Sequence, residues 1–187
     1  MTEKILNIKT RAEWRNWLQQ HFESENEIWL VNPKKSTGKP RIQYNDAVEE
    51  ALCFGWIDST NKKLDEDHTI QRFTPRQAKS SYSQPNIERL KCLAANKLIH
   101  PSLLKTVQEI ISKAFVFPMD ILEEIKKDET TWENYQNFSE PYKRIRIAYI
   151  DSARKRPEEF TKRLTNFIKK TRDNRLISGF GGIDKYY

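Results

Sequence analysis

Between Trp56 and Arg89 lie the residues best equipped for chemistry. Asp58 is an acceptor and a potential base. Ser59 and Tyr82 carry hydroxyls, and Arg76 and Arg89 carry guanidinium forks. Ser80, Ser83 and Asn86 add neutral hydrogen-bonding groups, and Trp56 stands at the head of the run. This set suits an anionic or carbonyl-bearing ligand, because an arginine fork matches the two oxygens of a carboxylate or phosphate. A catalytic alternative uses Asp58 as base with Ser59 or Tyr82 as its partner. No nucleophile elbow, triad or cofactor fingerprint accompanies it, so no catalytic residue and no cofactor is assigned. A structural alternative also stands: Asp58 and Ser59 suit the hydrogen bonding of a turn.

The surrounding elements must bring these residues together. Tyr44, Ala47, Val48, Ala51 and Leu52 fall on one face of a helix, with Glu49 and Glu50 off that face. Gly55 suits the helix end, where a left-handed residue is needed. Ile57 to Lys63 and Thr69 to Phe73 then read as an antiparallel pair around the acidic turn Leu64-Asp65-Glu66-Asp67-His68. The pair leaves at Trp56 and returns at Phe73, so its two ends are expected side by side. Ser83 can cap the following helix, with Pro85 in its first turn. Asp58, Ser59, Arg76, Ser83, Asn86 and Arg89 are therefore expected to converge. Asp65, Asp67 and His68 suggest a metal at first sight. They lack the alternation and terminal glutamate of a calcium loop, and turn chemistry is the expectation.

The remaining chain supplies the framework. Thr10 and Glu13 form a capping-box pattern, followed by Trp14, Trp17, Leu18 and Phe22 on one face. Glu27 to Val31 reads as a strand, and Asn32 to Pro40 as a basic loop without the glycine spacing of a phosphate-binding loop. Ile87, Leu90, Leu93 and Ala94, then Leu103 to Ala114, mark two more helices. Ala114 to Asp120 breaks the periodicity, and beyond it every signal is helical, with Ser139 and Pro157 opening the last two helices. The fold class is α+β. A small antiparallel sheet with covering helices occupies 1–114, a basic all-helical module 119–176, and an irregular tail 177–187.

Composition narrows the classes. No apolar run approaches a membrane span, and the N-terminus lacks the apolar core of a signal peptide. Cys53 and Cys92 form neither a metal spacing nor a disulfide framework, so a cytoplasmic chain with free thiols is expected. The net charge is +7, and residues 139–176 hold 12 Lys/Arg against 5 Asp/Glu. Such a module suits an acidic partner or nucleic acid, or is a solvated helical face.

Two blocks resemble a known family. Ala47-Val48-Glu49-Glu50-Ala51-Leu52-Cys53-Phe54-Gly55-Trp56-Ile57-Asp58-Ser59, continued by Phe73-Thr74-Pro75-Arg76, Ser80-Ser81-Tyr82-Ser83, Asn86 and Arg89, resembles the central motif of the YdeI/OmpD-associated, or bacteriocin-protection, family. Tyr82 stands where that family usually has Trp. Tyr142 to Ile150 and Ala153-Arg154-Lys155-Arg156-Pro157-Glu158, with Lys162 and Arg163, resemble its helical module, although Ser139-Glu140-Pro141 departs from the usual Ser-Pro helix start. The resemblance implies a bacterial cytosolic protein linked to stress or bacteriocin tolerance, and brings no catalytic mechanism. The expected activity is binding of a small anionic ligand or a protein partner. Non-specific nucleic-acid binding through the basic helices and an enzyme using Asp58 are the alternatives.

Overall fold

Thr10 accepts the Glu13 amide through its side chain at 3.2 Å, and the Glu13 carboxylate accepts the Lys9 amide at 2.8 Å. The first helix, α1 (Arg11–His21), therefore starts where the capping box places it. These coordinates are a computed structural model that describes residues 4–77, 80–179 and 182–187. The chain divides into two compact units, Met1–Tyr82 with Arg89–Ile111, and Ser83–Glu88 with Ser112–Tyr187.

The first unit is built on a four-stranded sheet of order β1-β2-β4-β3, formed by β1 (Ile5–Leu6), β2 (Ile28–Pro33), β3 (Trp56–Lys63) and β4 (His68–Pro75). The pairs β2/β4 and β3/β4 are antiparallel, and the short β1 runs parallel to β2. The α+β class follows the sequence reading. The parallel edge does not, because two residues carry no readable period. Between β2 and β3 comes α2 (Tyr44–Cys53). Gly55 has φ +72°, and β3 follows at once. Trp14, Leu18, Ile28, Leu30, Leu52, Trp56, Phe73 and Leu90 fill the core. Burying such side chains is worth about 1.5–3 kcal/mol each. Two further helices, α3 (Gln84–Ala95) and α4 (Leu104–Ile111), follow β4.

Glu49 and Glu50 lie off the apolar face of α2, yet each is only 2% exposed. Arg11 and Arg15 of α1 cover them. Arg11 reaches Glu50 at 2.5 Å and Glu49 at 2.7 Å, and Arg15 reaches Glu50 at 2.7 Å. Burial of α2 on two sides is thus partly electrostatic, which a hydrophobic pattern does not display.

The acidic turn is stabilised from within. Asp65 Oδ1 accepts the Asp67 amide at 2.8 Å and the His68 amide at 2.9 Å, and lies 2.8 Å from His68 Nδ1. The expected turn chemistry accounts for these groups.

The second unit contains α5 (Met119–Lys126), α6 (Glu129–Asn137), α7 (Glu140–Asp151) and α8 (Pro157–Arg172). Asp128 caps α6, Ser139 caps α7, and Pro157 occupies the first turn of α8. Among the described residues no strand follows β4. Ile121, Ile125, Tyr135, Tyr142, Ile147, Ile150 and Phe167 form the core, with Phe115, Phe117 and Trp132 packed on it. The tail includes a 3₁₀ turn at Ile183–Tyr186, where Ile183 is buried, and the Ile177 amide donates to the Tyr142 hydroxyl at 3.0 Å. Glu88 is 4% exposed and meets Arg144 at 2.7 Å. Among the described residues no helix is long and apolar enough to cross a membrane.

Candidate functional site

The antiparallel register sets Trp56 opposite Pro75, Ile57 opposite Thr74 and Asp58 opposite Phe73, so the two ends of the hairpin do lie together. The register shifts between Asp58 and Asn61, a bulge that turns the polar side chains of β3. Asp58 Oδ2 accepts from the Tyr44 hydroxyl at 2.9 Å and from Gln71 Nε2 at 3.4 Å. Gln71 also accepts from Asn61 at 2.8 Å and donates to the Ser59 carbonyl at 3.5 Å. Partial burial of a residue that is still 48% exposed, reinforced by the Asp58 carboxylate, pushes the Tyr44 phenol up to about 12. Tyr44 therefore stays protonated and donates to Asp58 near neutral pH, and one oxygen of the would-be base is already engaged.

Arg89 is 4% exposed and donates from Nε and Nη2 to Asn45 Oδ1 at 3.0 and 2.9 Å. Asn45 in turn donates to Glu49 at 2.6 Å. Arg89 thus braces the first turn of α2 beside Tyr44.

Arg76 forms a separate arrangement. Its amide donates to the Gly55 carbonyl at 2.9 Å, which ties the end of β4 to the α2–β3 turn. Its guanidinium lies 3.8 Å from the centroid of the Tyr82 ring. Nη2 donates to the Ser81 carbonyl at 2.8 Å and to Ser80 Oγ at 3.2 Å. Nε is buried and has no hydrogen-bond partner among the described residues.

The predicted residues are thus distributed over several settings. Asp58 and Ser59 share the Tyr44–Gln71 set, Arg76 collects Ser80 and Tyr82, and Arg89 holds Asn45. Trp56 is fully buried, with its indole N–H donated to the Phe22 carbonyl at 3.0 Å and its ring edge-on to Trp17. Ser83 and Asn86 group with the second unit, where the Ser83 carbonyl accepts the Ile87 amide at 3.0 Å. Sequence reasoning missed Gln71 and Asn45 and took Tyr44 for an apolar position. A tyrosine in the first turn of a helix offers an apolar ring and a polar tip, and that was the available signal.

Among the described residues no group of three or more His, Cys, Asp or Glu is placed to hold a metal. The arrangement offers a stacked arginine with a donor that has no acceptor among the described residues, and a carboxylate held by neutral donors.

Comparison with known families adds two matches. Residues 6–106 match the family described as Domain of unknown function (DUF8412), and residues 114–174 match the one described as Bacteriocin-protection, YdeI or OmpD-Associated. The Ala47–Ser59 and Phe73–Arg89 blocks fall in the first match, and the Tyr142–Arg163 block falls in the second. No curated protein and no solved structure matches the chain.

Proposed function

The chain belongs to the DUF8412 family, whose match spans more than half of it, and carries a YdeI/OmpD-associated module at 114–174; from this premise we propose that it is a binding protein for a small anionic ligand. The ligand's charged group sits at Arg76, beside Tyr82 and Ser80. One observation carries the reading: the Arg76 guanidinium is stacked on Tyr82 and anchored through Nη2, while its buried Nε has no protein acceptor among the described residues. A buried donor left without an acceptor costs about 1–3 kcal/mol. A carboxylate or phosphate oxygen removes that cost, and stacking fixes the fork in advance. A cytoplasmic location and a part in bacteriocin or stress tolerance belong to the same proposal.

Two other readings rank lower. Nucleic-acid binding would draw on the basic helices, and Arg144, Arg154 and Arg163 there each pair with a carboxylate at 2.8 Å or less, which thins the run of uncommitted cations. An Asp58 enzyme needs a nucleophile beside the carboxylate, and the groups that donate to Asp58 Oδ2 are the Tyr44 phenol and the Gln71 amide.

Thermal-shift screening of the wild type and Arg76→Ala against phosphates, carboxylates and nucleotides tests the proposal. The expected result is an anion that raises the melting temperature of the wild type and leaves Arg76→Ala unmoved. A wild type that no anion stabilises, with Arg76→Ala melting far lower, would make Arg76 a structural brace.

A further inference from the structure

The second unit holds a cleft of about 250 Å³ lined by α7, α8 and Ile177. Arg146, Lys162 and Arg163 contribute three cations to its wall against a single carboxylate, Glu159. That carboxylate is bound by Arg163 Nε at 2.7 Å. Arg163 is fixed further by the Tyr149 carbonyl at 2.7 Å and by the Tyr149 ring, 3.7 Å from its guanidinium carbon. Ile150, Phe167 and Ile177 supply an apolar wall.

Arg146 is the unusual member. It is 3% exposed, yet its Nη2 reaches only neutral oxygens, the Ile177 carbonyl and the Tyr187 hydroxyl. Its other neighbours are the rings of Tyr142 and Tyr187, with centroids at 5.6 and 5.3 Å. Its Nε is buried and has no partner among the described residues. Buried charges are as a rule paired, because an unpaired one is costly to desolvate. Among the described residues the acceptors recorded for Arg146 are both neutral, and the cleft beside it carries excess positive charge. A buried donor without an acceptor calls for an explanation, and a bound anion is one.

We propose that this cleft binds a small organic anion, a carboxylate or phosphate monoester on an apolar or aromatic body. Arg146 and Lys162 meet the charged group, and Ile150, Phe167 and Ile177 meet the body. An inorganic ion leaves the apolar wall unused, and a neutral ligand leaves Arg146 uncompensated. The volume lies below the range of about 300–1,000 Å³ for drug-sized ligands, so the body is small. This site is separate in its residues from the Arg76 arrangement.

Calorimetric titration of the full chain with phenyl phosphate, benzoate, inorganic phosphate and benzyl alcohol tests it. At least one of the two aromatic anions should bind about ten-fold or more tighter than inorganic phosphate and than benzyl alcohol. Which of the two binds identifies the headgroup. Arg146→Ala removes a core side chain and can unfold the unit, so Lys162→Ala is the deciding variant, since Lys162 is exposed. Because the Arg76 arrangement can itself take an anion, the titration is repeated in Arg76→Ala, where the aromatic anion should still bind and Lys162→Ala should weaken that binding about ten-fold with an unchanged melting temperature. The proposal fails if neither aromatic anion binds Arg76→Ala, if benzyl alcohol or inorganic phosphate binds that variant as tightly, or if adding Lys162→Ala to it leaves binding unchanged.

Discussion

Arg11 and Arg15 hold two carboxylates that α2 has carried out of water, and the balance of that cluster is measurable. Removing one partner of a buried pair costs roughly 3–5 kcal/mol when the other charge is left stranded. The Arg11 side chain is 35% exposed and Arg15 remains beside Glu50, so water and the second arginine offset part of the loss. Arg11→Ala should therefore lower unfolding free energy by roughly 2–3 kcal/mol. Urea unfolding at neutral pH reads this directly, and a change below half a kilocalorie would place the cluster among ordinary surface pairs. The thiols offer a second test at this scale. Burial, with Glu50 nearby, pushes Cys53 up to about 12, whereas Cys92 is exposed. In the native chain at pH 8 a disulfide reagent should titrate one thiol quickly and the second only on unfolding. A raised thiol value means that the folded state keeps its proton longer than the unfolded state does. The Cys53 contribution to stability is therefore complete below about pH 9 and is lost as pH rises towards 12. Equal reaction of both thiols in the folded chain would show that α2 is not packed as described.

At the scale of elements, the α2–β3 junction turns on Gly55. A left-handed backbone costs a residue with Cβ about 1–2 kcal/mol. A Cβ there would also lie 3.3 Å from Leu103 Cδ1. Gly55→Ala should thus destabilise by about 1–3 kcal/mol, seen as a lower denaturation midpoint with an unchanged slope. A neutral result would mean that the turn relaxes without strain. This junction was legible in the sequence, as were the Thr10 cap, the hairpin and the helical character after Phe117, because each is written in local spacing. The parallel β1 was not, since Ile5 and Leu6 pair with Trp29 and Leu30 through a contact that no local period announces. The candidate site was legible in its location and much less in its connections. Arg76, Ser80 and Tyr82 are neighbours in sequence and met. Gln71, which orients Asp58, sits mid-strand as one more polar residue, and Arg89 was committed to Asn45 by a helix-to-helix contact 44 residues long in sequence. Trp56 reads as an aromatic at a turn, and only the packed core reveals that its indole is sealed.

For the molecule as a whole, the formal charge of +7 already counts the carboxylates that pair with Arg144, Arg154 and Arg163, and it is a modest excess for 187 residues. Those paired guanidiniums and the buried Arg146 are not free to meet the phosphates of a polyanion. Binding to a labelled DNA duplex should be weak, sequence-independent and steeply reduced between two salt concentrations, as counterion release requires. Tight selective binding at physiological salt would reverse the ranking of functions. The pairing of Glu88 with Arg144 has a different consequence, for anyone who would cut and splice this gene. The two family matches end and begin at 106 and 114, which invites a chimera joined in that interval. A graft starting there inherits Arg144, 17% exposed, and leaves Glu88, its near partner at 2.7 Å, in the discarded half, with Glu140 at 3.7 Å as the remaining acid. The transplant carries a weakness that its own sequence does not show, and a donor fragment that reaches back to Ser83 restores the lost pair.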